Sequence, residues 1–383
     1  MLINNAYVTQ RLEQLIREKQ ESGQMERTKA DKLYNIKMLF PEWLRNIIFH
    51  PFNPFYSVFV QYKTNKKKQK NYINIHPLHP FAVDFTQYCL HNNFSIDTDL
   101  YFPKEDEVTV ISYIDNRLKS IIKGYTQLPL TDEQTDMLKQ AKELSDKVRK
   151  DHDGYVLTLD GNRYYLPQNT FEEHTYIHEY GLKYLPKYVK EYIAGKDFLD
   201  VGAYLGDTSI FLLRNYSPNR IYAYEPVSEN AKLLTNTVKK NDTDKIIVVE
   251  KGLGKKEEDI DIYIDPKKLS GSSINSSVSN NYMEKKRIHI STVDNECSDK
   301  KIGLIKMDVE GAEYAVIKGA METIKRDKPV LLISIYHTGK DFFEIAPLLR
   351  SNVPDYLFRI INLELASPFT EKILVAYPKP DKN

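Results

Sequence analysis

From residue 197 onward the chain alternates between short apolar runs and amphipathic stretches, and that alternation leaves few folds open. It predicts strands at 197–201, 220–224, 245–249, 303–307 and 329–335, with helices at 207–215, 228–240 and 312–325. Strands and helices in alternation imply a parallel sheet wrapped by helices. In such sheets ligands sit at the carboxyl ends of the strands, where the strand order reverses. The residues richest in chemistry fall at those ends.

The first predicted strand stops on an acid and runs into a glycine-bearing turn, Asp200-Val201-Gly202-Ala203-Tyr204-Leu205-Gly206-Asp207-Thr208. A glycine there lets backbone approach a ligand closely. The second strand also ends on an acid, Tyr222-Ala223-Tyr224-Glu225-Pro226. Two successive acid-tipped strands suggest one nucleotide-like ligand held across both. The turn is not the G-x-G-x-x-G of dinucleotide sites. A pyrophosphate would be repelled by Asp200 and Asp207, whereas an ammonium and a sulfonium would be favoured. Glu225 is placed to accept two ribose hydroxyls. These features point to S-adenosylmethionine rather than a nicotinamide cofactor. Gly252 and Leu253, after the third strand, either flank an adenine ring or mark an ordinary strand-to-turn transition.

A second dense site is Ile305-Lys306-Met307-Asp308-Val309-Glu310-Gly311-Ala312-Glu313. An apolar strand runs out into three acids, with a glycine at the bend. Asp308 and Glu310 are catalytic candidates. Glu313 is expected to cap or orient, because acids at a helix start complement its dipole. The next strand ends at Tyr336-His337, and an imidazole with an unperturbed pKa near 6.5 is a natural general base. Either His337 or Asp308 would remove a proton from an acceptor.

These motifs together, D-V-G-A-x-x-G-D, Y-x-Y-E-P and I-K-x-D-V-E-G-A-E, with Thr292-Val293-Asp294 before the last of them, resemble the FkbM family of S-adenosylmethionine-dependent methyltransferases. The resemblance covers roughly residues 155–378. It implies a class I methyltransferase fold, Rossmann-like, with a seven-stranded mostly parallel sheet. It implies methylation of hydroxyls on sugars, glycolipids or secondary metabolites. By position, Asp200, Gly202, Ala203, Gly206, Asp207 and Thr208 would line the methionine end of the cofactor and Glu225 the ribose. Asp308, Glu310 and Glu313 match the acidic motif, and His337 the family's usual histidine. The family often carries a glutamate just before that histidine, and here the run is Ser334-Ile335-Tyr336-His337. With no second carboxylate supplied from that strand, no required metal is expected.

The rest of the chain bounds the reading. Lysine and arginine number 54 against 53 acids, a net charge of +1, which gives no global argument for a nucleic-acid partner. No Asn-Pro-Pro-aromatic motif of amine methylation is present. Two isolated cysteines, Cys89 and Cys297, rule out a disulfide framework and suit a cytoplasmic location. No apolar run is long enough to span a bilayer. Residues 1–150 are expected to form a mainly helical extension serving acceptor choice or oligomerisation, and residues 151–383 the methyltransferase domain. Helical spacing of Leu12, Leu15 and Ile16 predicts a helix within 1–30. Thr131-Asp132-Glu133-Gln134 is a capping box, opening a helix whose apolar face is Met137, Leu138, Ala141, Leu144 and Val148. Asp160-Gly161 predicts a hairpin turn, and residues 171–194 a helix carrying His174 and His178 over the cofactor pocket. Lys66-Lys67-Lys68 beside aromatics is either a solvated loop or a contact to anionic lipid or a phosphorylated substrate. The polar stretch 269–282 is either a lid or a surface loop. A non-catalytic scaffold and a nucleic-acid methyltransferase stand as the competing functions.

Overall fold

The computed structural model describes residues 1–21, 72–123, 126–264, 284–364 and 367–380. The lysine run at 66–70, the stretch 269–282 and part of the first helical segment lie outside the described residues.

The central sheet has seven strands: β1 (Asp197–Val201), β2 (Ile221–Tyr224), β3 (Ile246–Val249), β4 (Ile302–Met307), β5 (Val330–Ser334), β6 (Tyr356–Asn362) and β7 (Lys372–Pro378). Their order across the sheet is β3-β2-β1-β4-β5-β7-β6. All pairings are parallel except those of β7, which runs antiparallel to both neighbours. This is the class I methyltransferase architecture expected from the sequence. The order reverses between β1 and β4, so their carboxyl ends open the crevice where ligands bind in such sheets.

Residues of each strand alternate between two cores, as the two-residue period of a strand requires. Leu199, Val201, Ile305, Met307, Leu331 and Ile333 face one cluster. Phe198, Leu304, Val330 and Leu332 face the other. The N-terminal region belongs to the first cluster: Ile3, Val8, Phe85, Tyr113 and Leu118 share it with those strand residues. The core therefore runs unbroken across residue 150. The main helices of this region are Asn5–Glu21, Pro80–His91 and Lys104–Ile122. Two short antiparallel strand pairs join them, Leu2–Asn4 with Ser95–Asp97 and Tyr72–Ile75 with Thr126–Pro129.

Local signals place several elements as expected. The capping box opens helix Asp132–Lys147, with both reciprocal bonds between Thr131 and Gln134 formed. Asp160 and Gly161 both take positive φ, 50° and 79°, and join strands Gly154–Leu159 and Asn162–Leu166. Other elements differ. Arg149–Asp151 is a strand, not a helix end, because it pairs with the following hairpin. Of the expected apolar face of helix Asp132–Lys147 only Leu144 is buried. Residues 312–325 form two helices, Glu313–Lys318 and Met321–Asp327, and at the intervening Gly319 the backbone packs so closely that a Cβ would lie 2.0 Å from the Gly254 carbonyl oxygen. The helix expected over 171–194 is three short pieces, Glu173–Tyr176, Glu179–Tyr184 and Lys187–Ile193. Left-handed backbone at Glu179, Tyr180 and Gly181 breaks it, and Pro186 opens the third piece. His174 and His178 thus do not share a helix face.

The N-terminal region is locked to the far edge of the sheet by an ion pair. Arg359 on β6 meets the Asp106 carboxylate with two hydrogen bonds, both 2.8 Å, and the same carboxylate accepts the Ile360 N–H at 2.9 Å. Asp106 is 3% exposed. Removing it leaves a buried amide without its acceptor and a guanidinium with only Glu105. Asp106→Ala is expected to cost about 3 kcal/mol in urea unfolding; a loss under about 0.5 kcal/mol would contradict this locking role.

Candidate functional site

The crevice at the β1/β4 switch point is a cavity of about 370 Å³. Gly202, Asp207 and Thr208 line it from the β1 turn, Glu225 and Pro226 from the end of β2, and Gly252 and Leu253 from beyond β3. Asp308 and Glu310 enter from the end of β4. Ile262, Ile288 and Ile290 add an apolar wall. Strand register brings these together: Val201 pairs with Tyr224 and with Met307, so the next residues on each strand converge.

Gly202 has φ +80°, and a Cβ there would lie 1.9 Å from the Asp308 carbonyl oxygen. No side chain fits between the β1 turn and β4. Gly206 has φ +85°, and its Cβ would strike Leu234 at 2.3 Å. That glycine seats helix Asp207–Tyr216 against helix Ser228–Lys240. The Glu225 carboxylate, 5% exposed, accepts the N–H groups of Tyr204 (3.1 Å) and Val227 (2.9 Å). Burial pushes it up to about 7, against the opposing pull of those donors and Asn230.

Asp200, Ala203, Gly206 and His337 are not among the residues that line the cavity and stand behind its wall. The Asp200 carboxylate is fully buried, accepts the Ser209 hydroxyl at 2.6 Å and pairs with the Lys306 ammonium at 3.0 Å. Lys306 also donates to the Gly202 carbonyl at 2.9 Å. Burial alone would lower the Lys306 ammonium, but Asp200, Asp308 and Asp207 outweigh it and hold it protonated. Ala203 is 2% exposed and packs in the core.

His337 stands behind the acids. Its Nδ1 faces Glu313 at 3.0 Å, and its Nε2 lies 3.5 Å from Asp308 and 3.6 Å from Glu310. Burial by itself would lower the imidazole, but Glu313, Asp308 and Glu310 raise it to about 10. At neutral pH it holds its proton, so the expectation of a free base with an ordinary pKa is corrected. The missing second carboxylate is also supplied, by Glu313 from the β4 loop rather than by the strand before His337. Both Glu313 oxygens accept backbone N–H groups, from Val309 and Gly311 at 2.9 Å each. Asp308, Glu313 and His337 bring ligand atoms within 4.8 Å of one another, a spacing a divalent cation accepts. Glu310, at φ +56°, is raised to about 7, first by burial and then by Asp308 and Glu313, with His337 opposing.

Among the lining residues that sequence reasoning missed are Glu172, Tyr180, Lys306 and Glu371. It weighed His174 only as a metal ligand or part of a covering helix. Tyr180 donates to Asp308 at 3.0 Å and lies 3.1 Å from the Ser334 hydroxyl. Glu371 accepts the Tyr336 hydroxyl at 3.2 Å, and His174 lies between Glu172 (3.4 Å) and Glu371 (3.8 Å). Only Lys306 had a local signal, its place inside the β4 motif.

Residues 200–360 match the family model of the methyltransferase FkbM domain. No curated protein sequence matches the chain. Among solved structures the chain is similar to a methyltransferase FkbM from Methylobacillus flagellatus KT, at 20% identity over 64% of this chain and 60% of that one, with a TM-score of 0.39. This chain thus spans 60% of that protein. It is also similar to fibrillarin from Aeropyrum pernix, solved with S-adenosyl-L-methionine, at 14% identity over 60% of this chain and 84% of that one, TM-score 0.36. An rRNA methylase from Streptococcus thermophilus matches at 12% identity over 55% of this chain and 99% of that one, TM-score 0.34.

The buried Glu225 gives this site a signature in stability. It titrates at about 7 in the folded chain and near 4.5 otherwise. The folded state therefore holds the proton more tightly, so this contribution is complete below about pH 4.5 and is lost as pH rises through 7. Glu225→Gln, which cannot ionise, should lose less urea stability than the parent between pH 5 and pH 8; an equal loss in both would contradict the assignment.

Proposed function

We propose that the chain, whose residues 200–360 match the methyltransferase FkbM domain, is an S-adenosylmethionine-dependent O-methyltransferase acting on a hydroxyl of a saccharide, glycolipid or secondary metabolite. The observation that carries this reading is the cavity at the β1/β4 switch point, where Gly202 leaves room for close backbone approach and Glu225 closes the adjacent strand. Gly202, Asp207 and Thr208 would hold the amino-acid end of the cofactor. Glu225 would take the ribose hydroxyls, and Gly252 and Leu253, with Pro226 and the isoleucine wall, the adenine. Asp200, Ala203 and Gly206 shape the turn from behind. Bound S-adenosylmethionine supplies a methyl group already activated on a sulfonium, so the protein's task is mainly to orient the acceptor.

Six carboxylates line the cavity: Glu172, Asp207, Glu225, Asp308, Glu310 and Glu371. Against them stand His174, Lys251 and Lys306, the last committed to Asp200. Such a wall suits a cationic cofactor and a polyol acceptor, and it disfavours a phosphate-rich nucleic acid. Carboxylates beside the Tyr180 ring suit the hydroxyls and the apolar face of a sugar. Glu310 lines the cavity beside Asp308 with its side chain 46% exposed, so it is open to an acceptor, and its surroundings raise its carboxyl; it is the acid we assign to taking the hydroxyl proton. Asp308 positions the acceptor, and His337 holds both carboxylates from behind. With Glu313 spent on backbone amides, this reading needs no resident metal. No helix among the described residues is long and apolar enough to cross a membrane. The two cysteines are free and buried, and we place the reaction in the cytoplasm.

Calorimetric titration with S-adenosylmethionine tests the premise: the parent should bind, and absence of binding would sink the reading. Glu225→Ala should weaken that binding by about tenfold to a hundredfold. Glu310→Gln should keep cofactor affinity within about threefold while labelled-methyl incorporation into glycan or lipid extracts falls by about a hundredfold. Undiminished incorporation would remove Glu310 from the role of base. Mass spectrometry of surface glycans with and without the protein should show a difference of one methylene; methylated RNA instead would favour the nucleic-acid reading.

A further inference from the structure

We propose that the N-terminal helices are a working part of the active site, with Arg117 the positioning residue that fixes the turn carrying His337. The inference rests on the reading of the β1/β4 cavity as the methyl-transfer site. Arg117, on helix Lys104–Ile122, is 0% exposed. One of its terminal nitrogens donates to two carbonyls, Tyr336 at 2.7 Å and Phe369 at 2.9 Å. Tyr336 precedes His337, and Phe369 lies two residues before Glu371 of the cavity wall. One guanidinium thus ties together two segments that approach the site separately.

This arrangement is costly to maintain. Among the described residues no carboxylate forms an ion pair with Arg117, and its Nε and Nη1 have no hydrogen-bond partner. A buried, unpaired cation is tolerated only where other contacts offset its desolvation. Here they are the two carbonyls, the face of Tyr113, 4.1 Å from the guanidinium carbon, and the more distant charge of Asp84. An apolar side chain would fill the same space at lower cost, but it would leave both carbonyls without their donor.

Three further contacts grip the same turn. The Phe81 ring meets the His337 ring edge-on, with centroids 5.6 Å apart at 88°. Asp84 accepts the Gly339 N–H at 2.8 Å. The Tyr113 hydroxyl donates to the Ile335 carbonyl at 3.4 Å. Ile335, Tyr336, His337 and Gly339 are therefore each held by residues that lie outside the methyltransferase FkbM segment. Glu313 fixes one side of the His337 ring, and Phe81 and Arg117 fix the other side and its backbone.

The test uses the full chain, labelled with ¹⁵N-histidine, with the His337 ring signals identified by their loss in His337→Gln. Arg117→Met removes both carbonyl contacts, Arg117→Lys keeps the charge but loses the guanidinium that lies over the Tyr113 ring, and Phe81→Leu removes the ring while leaving the buried cation in place. We expect the His337 ring signals to shift or broaden in all three. S-adenosylmethionine affinity should stay within about threefold of the parent, because β1 and β2 are untouched. A variant that simply loosened the fold would lose cofactor affinity and His337 order together. Should Arg117→Met fail to fold, Arg117→Lys and Phe81→Leu carry the test. Unchanged His337 signals in folded Arg117→Lys and Phe81→Leu proteins would overturn the proposal. Failure of the parent to bind S-adenosylmethionine would instead remove the functional reading, and the His337 signals would still report on the clamp.

Discussion

The ion pair between Asp200 on β1 and Lys306 on β4 is the constraint from which the rest of the site follows. Both side chains are almost wholly buried, 0% and 5% exposed, and they meet at 3.0 Å across the point where the strand order reverses. A buried pair gains little over apolar neighbours, but losing one member strands the other in a dry interior. The pair is satisfied on each side, by the Ser209 hydroxyl and the Gly202 carbonyl. It therefore holds the β1 turn directly against β4. The close approach of Gly202 to the Asp308 carbonyl is the geometric result, and it makes a side chain at 202 impossible. The acid that looked in sequence like a ligand contact instead makes the contact surface.

The parts legible in sequence are those set by neighbours along the chain. The apolar strand at 197–201, the Asp160-Gly161 turn and the Thr131 capping box are all decided within a few residues, and all are found. The positions of Gly202, Asp207, Glu225 and Asp308 follow from where strands end. What was not legible depends on residues far apart. His337 looked like an ordinary imidazole because nothing in its own segment announces Glu313 at its Nδ1. Tyr180 and Glu371 reach the cavity from segments with no repeating pattern. The helix expected over 171–194 fails at three consecutive left-handed residues that no local composition demands.

Those left-handed residues form a pattern of their own. Tyr180, Tyr204, Glu310 and Glu371 all have positive φ without being glycine, and all four line the cavity. Each such conformation costs on the order of 1–3 kcal/mol and persists only where its surroundings over-determine it. The surroundings here are identifiable. The Asp308 carboxylate and Ser334 hydroxyl engage Tyr180, Glu225 accepts the Tyr204 amide, and the Tyr336 hydroxyl engages Glu371. The strain aims side chains that regular helices or strands would point elsewhere. The wall is thus assembled before any ligand arrives.

The antiparallel strand β7 has a consequence for how the molecule comes into being. It is the last strand in sequence, yet it lies between β5 and β6, with all seven of its residues buried. A nascent chain can pair β1 to β5 as they emerge, but β6 has no seat until β7 arrives. Arg117, made some 250 residues earlier, waits as well, because one of its two carbonyl partners is Phe369 at the mouth of β7. Its second carbonyl contact therefore forms only when that closing segment is in place. The clamp that joins the N-terminal helices to the His337 turn is thus completed among the last contacts of the fold.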